Sequence, residues 1–233
     1  MSYSNKPTLI FLHGWCCQSS DFNAQIDFFS KDSNVVAPNY SEIISQGIDS
    51  VEEVVTYLYD QLSRYKDIVF IGHSMGGFLA LKLALTDLDI KKVIVIDTTL
   101  KSEFTLVEED FLEALDRKDA QKVLSDVIKN NMIDKRFDNY SVMQNKAHQM
   151  LNYWQRKPKS FNKILREAFF SDKKSLFYKL NTPFLYIASA SPRTSENNIL
   201  CLYDKAKYIQ LNSGHFIMLN AVDKINNLIK DFL

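Results

Sequence analysis

The chain contains 233 residues, and its 28 basic and 28 acidic side chains give a formal net charge of zero at pH 7. Because no whole-protein electrostatic field results, we expect neither nucleic acid nor a membrane surface as a partner, and no apolar run is long enough to span a bilayer. The N-terminus lacks the layout of a signal peptide, and three cysteines are an odd number for a disulfide framework, so we predict a cytoplasmic protein. No spacing of cysteine and histidine predicts a metal site, and the sequence indicates no cofactor.

Runs of apolar residues predict six β-strands, at 8–12, 35–37, 68–71, 93–96, 183–188 and 208–211. Continuous apolar runs of this kind are typical of strands buried on both faces of a parallel sheet. Residues 39–48 are predicted to form a loop. Helical periodicity predicts helices at 21–29, 51–62, 78–85, 196–205 and 222–233. Since strands and helices alternate, we expect an α/β fold with a mostly parallel sheet and helices on both faces.

Residues 101–178 differ in character from the rest of the chain. Strand-like runs are missing there, and charged residues alternate with apolar ones at helical spacing. This pattern predicts a helical insertion between the fourth and fifth strands. The chain would then consist of an α/β core, residues 1–100 and 179–233, and a helical lid, residues 101–178.

The most informative stretch is Gly72-His-Ser-Met-Gly-Gly77, which fits the pattern G-x-S-x-G. It follows a predicted strand and precedes an apolar helix, which is the context of an exposed nucleophilic serine. The turn would hold Ser74 in a strained backbone conformation, and Gly72 and Gly76 leave the space that such a turn needs. The helix after the serine directs its N–H groups towards whatever the serine attacks. We therefore predict that Ser74 is a nucleophile.

Other chemically active residues follow the ends of other predicted strands. His13-Gly14-Trp15 follows the first strand, Asp97 follows the fourth, and His215 follows the last. Because the carboxyl ends of parallel strands meet at one edge of the sheet, we expect these residues to lie near Ser74. The order Ser, Asp, His along the chain is the order of an α/β-hydrolase triad.

With these three motifs, the sequence resembles the α/β-hydrolase fold superfamily over essentially its whole length. The matching motifs are His13-Gly14, Gly72-His-Ser-Met-Gly-Gly77 and Gly214-His215-Phe216. The chemistry then suggests a role for each group. His215 would take the proton from Ser74, a carboxylate would orient the imidazole, and the N–H groups of Trp15 and Met75 would bind the oxyanion.

The identity of the acid is open at this point. The superfamily most often carries it after the strand at 183–188, but Ser191 stands where that carboxylate would be, and no acidic residue is near. Asp97 is our first candidate, although an aspartate at a strand end is also a common structural cap. Glu196, a few residues farther along, is the second. Of the other histidines, we expect His13 and His73 to be structural and assign no role to His148.

Some features resemble the cofactor-free 2,4-dioxygenases that cleave hydroxy-oxoquinoline rings. They are Gly14-Trp15-Cys16, Ala37-Pro38-Asn39, and Asp97 together with the carboxylate-free loop after residue 188. The resemblance implies that the acid follows the earlier strand, at Asp97. That subfamily has additional histidines at two positions that are Cys17 and Met75 here.

The predicted lid would cover Ser74 and supply an apolar acyl pocket, for which Met150, Trp154 and Phe169 are candidate lining residues. Residues 156–174 contain seven basic and two acidic residues. A solvated helix face is the favoured interpretation of this stretch, and a docking face for an acidic acyl carrier is the alternative. We predict a serine hydrolase acting on a small-molecule carboxylic ester or thioester. A cofactor-free oxygenase with a His215/Asp97 base and a low-turnover binding protein are the alternatives.

Overall fold

The computed structural model describes residues 6–100 and 106–233. Within them, six strands form a single sheet in which every neighbouring pair is parallel, and the order across the sheet is β2-β1-β3-β4-β5-β6. The strands are β1 (Thr8–Leu12), β2 (Asn34–Val36), β3 (Ile68–His73), β4 (Ile90–Ile96), β5 (Phe184–Ala188) and β6 (Lys207–Gln210). The predicted α/β fold is confirmed, with a sheet that is wholly parallel in the described residues.

The burial of the strands follows their position in the sheet. Every residue of β1, β3 and β5 is buried, as is the carboxyl half of β4, which matches their continuous apolar sequences. The edge strands β2 and β6 are partly exposed and carry polar residues at their ends. The carboxyl ends of the central strands β1, β3 and β4 are therefore fully buried, next to Gly14, Ser74 and Asp97.

Twelve α-helices connect and cover the described strands. They are α1 (Asn23–Phe29), α2 (Tyr40–Ser45), α3 (Val51–Leu62), α4 (Met75–Leu83), α5 (Leu106–Ala114), α6 (Ala120–Val127), α7 (Tyr140–Arg156), α8 (Pro158–Phe170), α9 (Lys173–Lys179), α10 (Glu196–Leu202), α11 (Ile217–Asn220) and α12 (Val222–Phe232). A 3₁₀-helix at Ser19–Phe22 precedes α1, and a π-helix at Ile128–Met132 follows α6. None of these helices is long and apolar enough to cross a lipid bilayer.

The prediction of a loop at residues 39–48 was wrong, because α2 lies within it. Tyr40 and Ile44 are one turn apart on this helix and both are fully buried. Tyr40 also stacks on the His13 ring at a centroid distance of 3.8 Å, and its hydroxyl donates to the His13 carbonyl oxygen. These tertiary contacts stabilise a helix too short for a clear periodic signal.

The segment between β4 and β5 contains α5 to α9 and the π-helix, and no strand among its described residues. Residues 101–105, where the predicted insertion begins, lie outside the described part of the chain. The contacts that hold the segment against the rest include three in which the segment side is buried or partly buried: the Trp15 indole donates to the Phe161 carbonyl oxygen at 2.8 Å, Lys146 pairs with Asp21, and Glu167 accepts from the backbone N–H of Val51. The division into core and lid, and the action of this segment as a lid, stay predictions.

Candidate active site

Ser74 occupies the turn between β3 and α4 in a backbone conformation that residues other than glycine rarely adopt. Its φ is 54° and its ψ is −122°, so its backbone lies in the strained positive-φ region. The backbone is held there by its own hydrogen bonds, since Ser74 N–H donates to the Ile96 carbonyl oxygen at 2.9 Å and the Thr98 hydroxyl donates to the Ser74 carbonyl oxygen at 2.8 Å. The turn therefore projects the serine side chain beyond the end of the sheet.

Two glycines make this turn possible, for a steric reason that the sequence suggested. A β-carbon at Gly72 would collide with the backbone of Gly76, and one at Gly76 would collide with the carbonyl oxygens of Leu12 and His13. The end of β1 thus packs directly on the first turn of α4. Any larger residue at Gly76 would push the serine away from the loop after β1.

Asp97 and His215 form a buried hydrogen bond. Oδ2 of Asp97 lies 2.7 Å from Nδ1 of His215. Because a carboxylate can only accept, Nδ1–H of His215 donates, and Nε2 is left free to accept a proton. Asp97 itself has a positive φ of 43°, a second strained residue at a strand end.

Further hydrogen bonds stabilise the charged form of Asp97. Its Oδ1 accepts from the backbone N–H groups of Ser189 at 3.3 Å and Arg193 at 3.1 Å, both in the carboxylate-free loop after β5. Burial alone would raise the pKa of Asp97, but the hydrogen bond and charge of His215, together with Arg193, outweigh it and lower the pKa below its ordinary value. Asp97 is therefore ionised at neutral pH.

His215 is neutral at neutral pH, as a general base must be. Burial, and after it the positive charge of Arg193, lower the pKa of His215 below its ordinary value, although the hydrogen bond and charge of Asp97 oppose this. The ring has the correct tautomer and the correct charge to take a proton at Nε2. No hydrogen bond joins it to the Ser74 hydroxyl in this structure, and in ligand-free sites such bonds are often formed only when substrate binds.

The loop after β1 lies against the serine. A β-carbon added at Gly14 would lie 3.3 Å from Cβ of Ser74 and 3.1 Å from Nδ1 of His73. Met75 begins α4, and the N–H groups of a first helical turn have no partner within their helix. Within the described residues, no acceptor is bound to the backbone N–H of Trp15. Trp15 and Met75 thus offer two N–H groups next to the nucleophile.

Ser74 and His215 line a common cavity of about 130 Å³. Trp15 and Phe216 are among the lining residues that lie outside the segment between β4 and β5, and seven residues in the helices of that segment line the cavity as well. The latter are Phe111, Val127, Asn131, Met132, Met150, Leu165 and Phe169. The cavity is mostly apolar and encloses space beside the nucleophile.

Two of the three candidate pocket residues line this cavity, namely Met150 and Phe169. Trp154 does not. Its indole N–H donates to Oδ1 of Asn162 at 2.8 Å, and the ring is buried in the contact between α7 and α8. A buried indole needs a hydrogen-bond acceptor, and Trp154 finds it away from the cavity.

The other residues considered in the sequence, two histidines and two residues near the end of β5, lie in positions that give them no catalytic contact in the described structure. His73 donates from Nε2 to the His215 carbonyl oxygen at 3.0 Å, and burial lowers its pKa well below the ordinary value. Burial also lowers the pKa of His13 to about 4, and its ring stacks on Tyr40. Glu196 is exposed in the first turn of α10 and Ser191 is exposed in the preceding loop, so neither occupies the position of Asp97.

The sequence analysis missed two groups close to the site. Arg193 donates its backbone N–H to Asp97 and its guanidinium to the Asn131 carbonyl oxygen at 2.8 Å. Lys146 forms a buried ion pair with Asp21, whose carboxylate also accepts from the backbone N–H of Gln18, in the loop after Trp15. No sequence signal identifies either contact, because each joins segments that are distant along the chain.

The described residues contain no group of three or more histidine, cysteine, aspartate or glutamate side chains that could hold a metal ion. Cys16 and Cys17 are buried free thiols, and burial raises the pKa of both. The groups that the structure brings together at this edge of the sheet are a hydroxyl, an imidazole, a carboxylate and backbone N–H groups.

A family model described as alpha/beta hydrolase fold matches residues 7–221. The chain belongs to the α/β-hydrolase fold family. No curated protein matches it significantly.

Solved α/β-hydrolase structures are similar to this chain over nearly its full length. MenH from S. aureus has 19% identity and a TM-score of 0.74, with 100% of this chain and 95% of that chain covered. A hydrolase from Oleispira antarctica has 16% identity and a TM-score of 0.81, covering 99% and 92%. The carboxylesterase CesB from Bacillus subtilis has 17% identity and a TM-score of 0.76, covering 99% and 85%. At such identities the likeness shows the fold alone.

Proposed function

We propose that this α/β-hydrolase cleaves a carboxylic ester or thioester through an acyl-enzyme on Ser74. The observation that carries the proposal is the 2.7 Å hydrogen bond between Asp97 and His215 at the rim of a cavity that Ser74 also lines. It gives the nucleophile a base of the right tautomer and charge. The esterase among the solved structures of the same fold is compatible with this chemistry.

The reaction begins when Oγ of Ser74 attacks the carbonyl carbon and Nε2 of His215 takes the hydroxyl proton. The carbonyl oxygen becomes an oxyanion and accepts hydrogen bonds from the N–H groups of Trp15 and Met75. The intermediate then expels the alcohol or thiol, which receives the proton from His215, and the acyl group stays on Ser74. His215 then deprotonates a water molecule, which attacks the carbonyl carbon of the acyl-enzyme ester. The second tetrahedral intermediate releases the carboxylic acid, and Oγ of Ser74 regains its proton from His215.

The substrate we propose is a free small molecule and not an acyl group on an acidic carrier protein. Of the seven basic residues in 156–174, four have partners within the chain. These are Arg156 with Glu42, Lys163 with Asp49, Arg166 with Asp116, and Lys173 with the carbonyl oxygens of Ala168 and Phe169. The three that remain are exposed lysines. This distribution favours a solvated helix face.

The test is the rate of hydrolysis of a short p-nitrophenyl ester by the wild-type protein and by Ser74→Ala. We expect steady turnover by the wild type and a loss of about 10³-fold or more in the variant. An unchanged rate in Ser74→Ala would rule the mechanism out. Oxygen consumption with a hydroxyquinolone is measured in parallel, since uptake without ester hydrolysis would favour the oxygenase with a His215/Asp97 base. Absence of both reactions would favour a binding protein.

A further inference from the structure

A second cavity adjoins the first at the edge of the sheet. It encloses about 530 Å³, and Asn131, Met132, Arg193 and His215 line both cavities. Apart from these shared residues, the second cavity is formed by the chain that follows α6 and by the loops after β5 and β6. His215 therefore lies between two spaces of different character, and we call the second one the cationic cleft.

The charges in this cleft are mainly positive. Four basic residues line it (Lys129, Lys135, Arg136 and Arg193), against one carboxylate, that of Asp134. Arg136 neutralises this carboxylate through two hydrogen bonds, of 2.9 Å from Nε and 2.6 Å from Nη2. In the described part of the chain, Lys129 and Lys135 form no ion pair and are exposed. Three cations of the cleft are thus left without an anionic partner among the described residues.

Arg193 is the cation nearest the catalytic groups. Its guanidinium donates to the neutral carbonyl oxygen of Asn131, in the π-helix, and no described carboxylate contacts it. A guanidinium has five N–H donors and a planar arrangement suited to carboxylate and phosphate oxygens. Its charge acts on His215, because it contributes to the lowered pKa of that imidazole. An anion bound to Arg193 would therefore lie beside the catalytic base.

Two other acids lie close to the cleft: Asp97, which is bound to His215 and to the backbone N–H of Arg193, and Asp138. Oδ1 of Asp138 accepts from the backbone N–H of Gly214 at 3.0 Å, and its Oδ2 accepts from the backbone N–H of Asp134 at 2.8 Å. Asp138 thus binds Gly214, which lines the cationic cleft, but does not line the cleft itself. Among the described contacts, neither acid forms an ion pair with Lys129, Lys135 or the Arg193 guanidinium, so these cations can bind a ligand.

The positions of the catalytic groups assign one cavity to the acyl portion of an ester and the other cavity to its alcohol portion. Ser74, Gly14 and Trp15, which hold the acyl carbon and the oxyanion in the proposed function, line the apolar cavity and not the cleft. His215 lines both, and it must deliver its proton to the departing oxygen or sulfur. The acyl group thus belongs in the apolar cavity and the leaving group in the cleft.

We propose that the substrate carries an anionic group, a carboxylate or a phosphate, on its alcohol or thiol portion, which the cationic cleft binds through Arg193, Lys129 and Lys135. The inference rests on the proposed function, because it assigns the leaving group of that reaction. Binding of this anionic group makes the enzyme selective for esters or thioesters that have an apolar acyl group and an anionic leaving group.

The first test compares para-carboxyphenyl butanoate with its neutral analogue para-carbamoylphenyl butanoate, each rate being divided by the rate of hydrolysis by hydroxide. We expect kcat/KM to favour the anionic ester by about tenfold at low salt, and less at high salt. The double variant Lys129→Gln/Lys135→Gln should reduce the preference to about twofold. The control Lys224→Gln/Lys230→Gln makes the same change of net charge on α12, outside both cavities, and should keep it.

Three outcomes would overturn the inference while leaving the proposed function intact. They are equal normalised rates for the two esters, an undiminished preference in Lys129→Gln/Lys135→Gln, and an equal preference for a carboxylate moved to the acyl side, as in phenyl succinate against phenyl butanoate. The last outcome would show that the protein attracts anions in general and that the leaving group does not bind specifically in the cleft.

The second test needs no turnover and separates the inference from the proposed function. Binding of para-hydroxybenzoate, para-hydroxyphenyl phosphate and para-hydroxybenzamide to Ser74→Ala is measured by calorimetry. We expect at least one of the two anions to bind about fivefold or more tightly than the amide, and the stronger of them identifies the anion. Equal binding of all three contradicts the cleft as an anion site, even if no ester is hydrolysed.

Discussion

Asp97 and His215 are 118 residues apart in the chain, and yet Oδ2 of the carboxylate lies 2.7 Å from Nδ1 of the imidazole. The pair joins the end of β4 to the loop after β6, across the end of β5, which lies between these strands in the sheet. The loop after β5 has no carboxylate but donates two N–H groups to Asp97. The loop after β5 thus stabilises an acid that follows the neighbouring strand.

This arrangement predicts that Asp97→Asn is severely impaired. An asparagine keeps the shape of the side chain but no longer stabilises the imidazolium or fixes the tautomer of His215, which costs about 10³–10⁴-fold in kcat in comparable triads. The measurement is kcat for a p-nitrophenyl ester, with circular dichroism to verify folding. Glu196→Gln is the matched control and should be close to wild type, because Glu196 is exposed on α10. A low kcat in Glu196→Gln together with a near wild-type kcat in Asp97→Asn would show that Glu196 is the acid.

The pH dependence of kcat/KM reports the state of His215. The reaction needs neutral imidazole, and the pKa of His215 is below its ordinary value, so activity should fall only once the pH is below that ordinary value. Arg193 contributes to the shift, and Arg193→Gln should move the acid limb to higher pH for a neutral ester. The profile is measured for both proteins at constant ionic strength. A limb that stays in place or moves to lower pH contradicts this role of Arg193.

The cavity volume limits the acyl group. About 130 Å³ is close to the roughly 150 Å³ of an engineered apolar cavity that holds benzene, so acyl chains of about four to six carbons should react fastest. Phe169→Ala removes a ring from the cavity wall and should shift the optimum to longer chains. Phe170→Ala is the control, since its exposed neighbouring ring is not part of the wall. A series of p-nitrophenyl esters tests this, and an identical optimum in all three proteins contradicts it.

The buried ion pair between Lys146 and Asp21 should dominate the attachment of α7 to the loop after β1. The two side chains are 3% and 5% exposed, so Lys146→Ala leaves a buried carboxylate without its partner and should lower the free energy of unfolding by about 3–5 kcal/mol. Urea unfolding measures the loss. Lys163→Ala breaks an exposed pair with Asp49 and should cost about 0–1 kcal/mol.

The double variant Lys146→Met/Asp21→Leu distinguishes a missing partner from lost packing. It removes both charges and should recover part of the stability lost in Lys146→Ala. A cost below about 1 kcal/mol for Lys146→Ala would show that the pair is no strong link between these segments.

The sequence predicted the features that depend on local patterns. The continuous apolar runs identified all six strands, and the glycines around Ser74 indicated the turn, because a steric requirement of that kind constrains neighbouring residues. The polar residues after strands β1, β3, β4 and β6 were expected together for the topological reason that parallel strands end at one edge. The order of the motifs also indicated the family.

Contacts between distant segments were not predictable where neither a motif nor the strand topology specifies them. The helix α2 forms because Tyr40 packs on His13, and Trp154 lies away from the cavity because Asn162 accepts its indole N–H. Arg193 was an unremarked loop residue until the structure brought it against Asp97 and Asn131. Periodicity describes which face of an element is apolar, and it carries no information about the partner that this face will meet.

The central claim is that His215 and Asp97 activate Ser74 as a nucleophile. The most direct measurement is covalent labelling by a fluorophosphonate, followed by intact mass spectrometry and mapping of the modified peptide. We predict a single adduct on Ser74 that forms rapidly in the wild type, forms far more slowly in His215→Ala and Asp97→Asn, and is absent in Ser74→Ala. Labelling at another residue, or labelling of Ser74 at the same rate without His215, would contradict the claim.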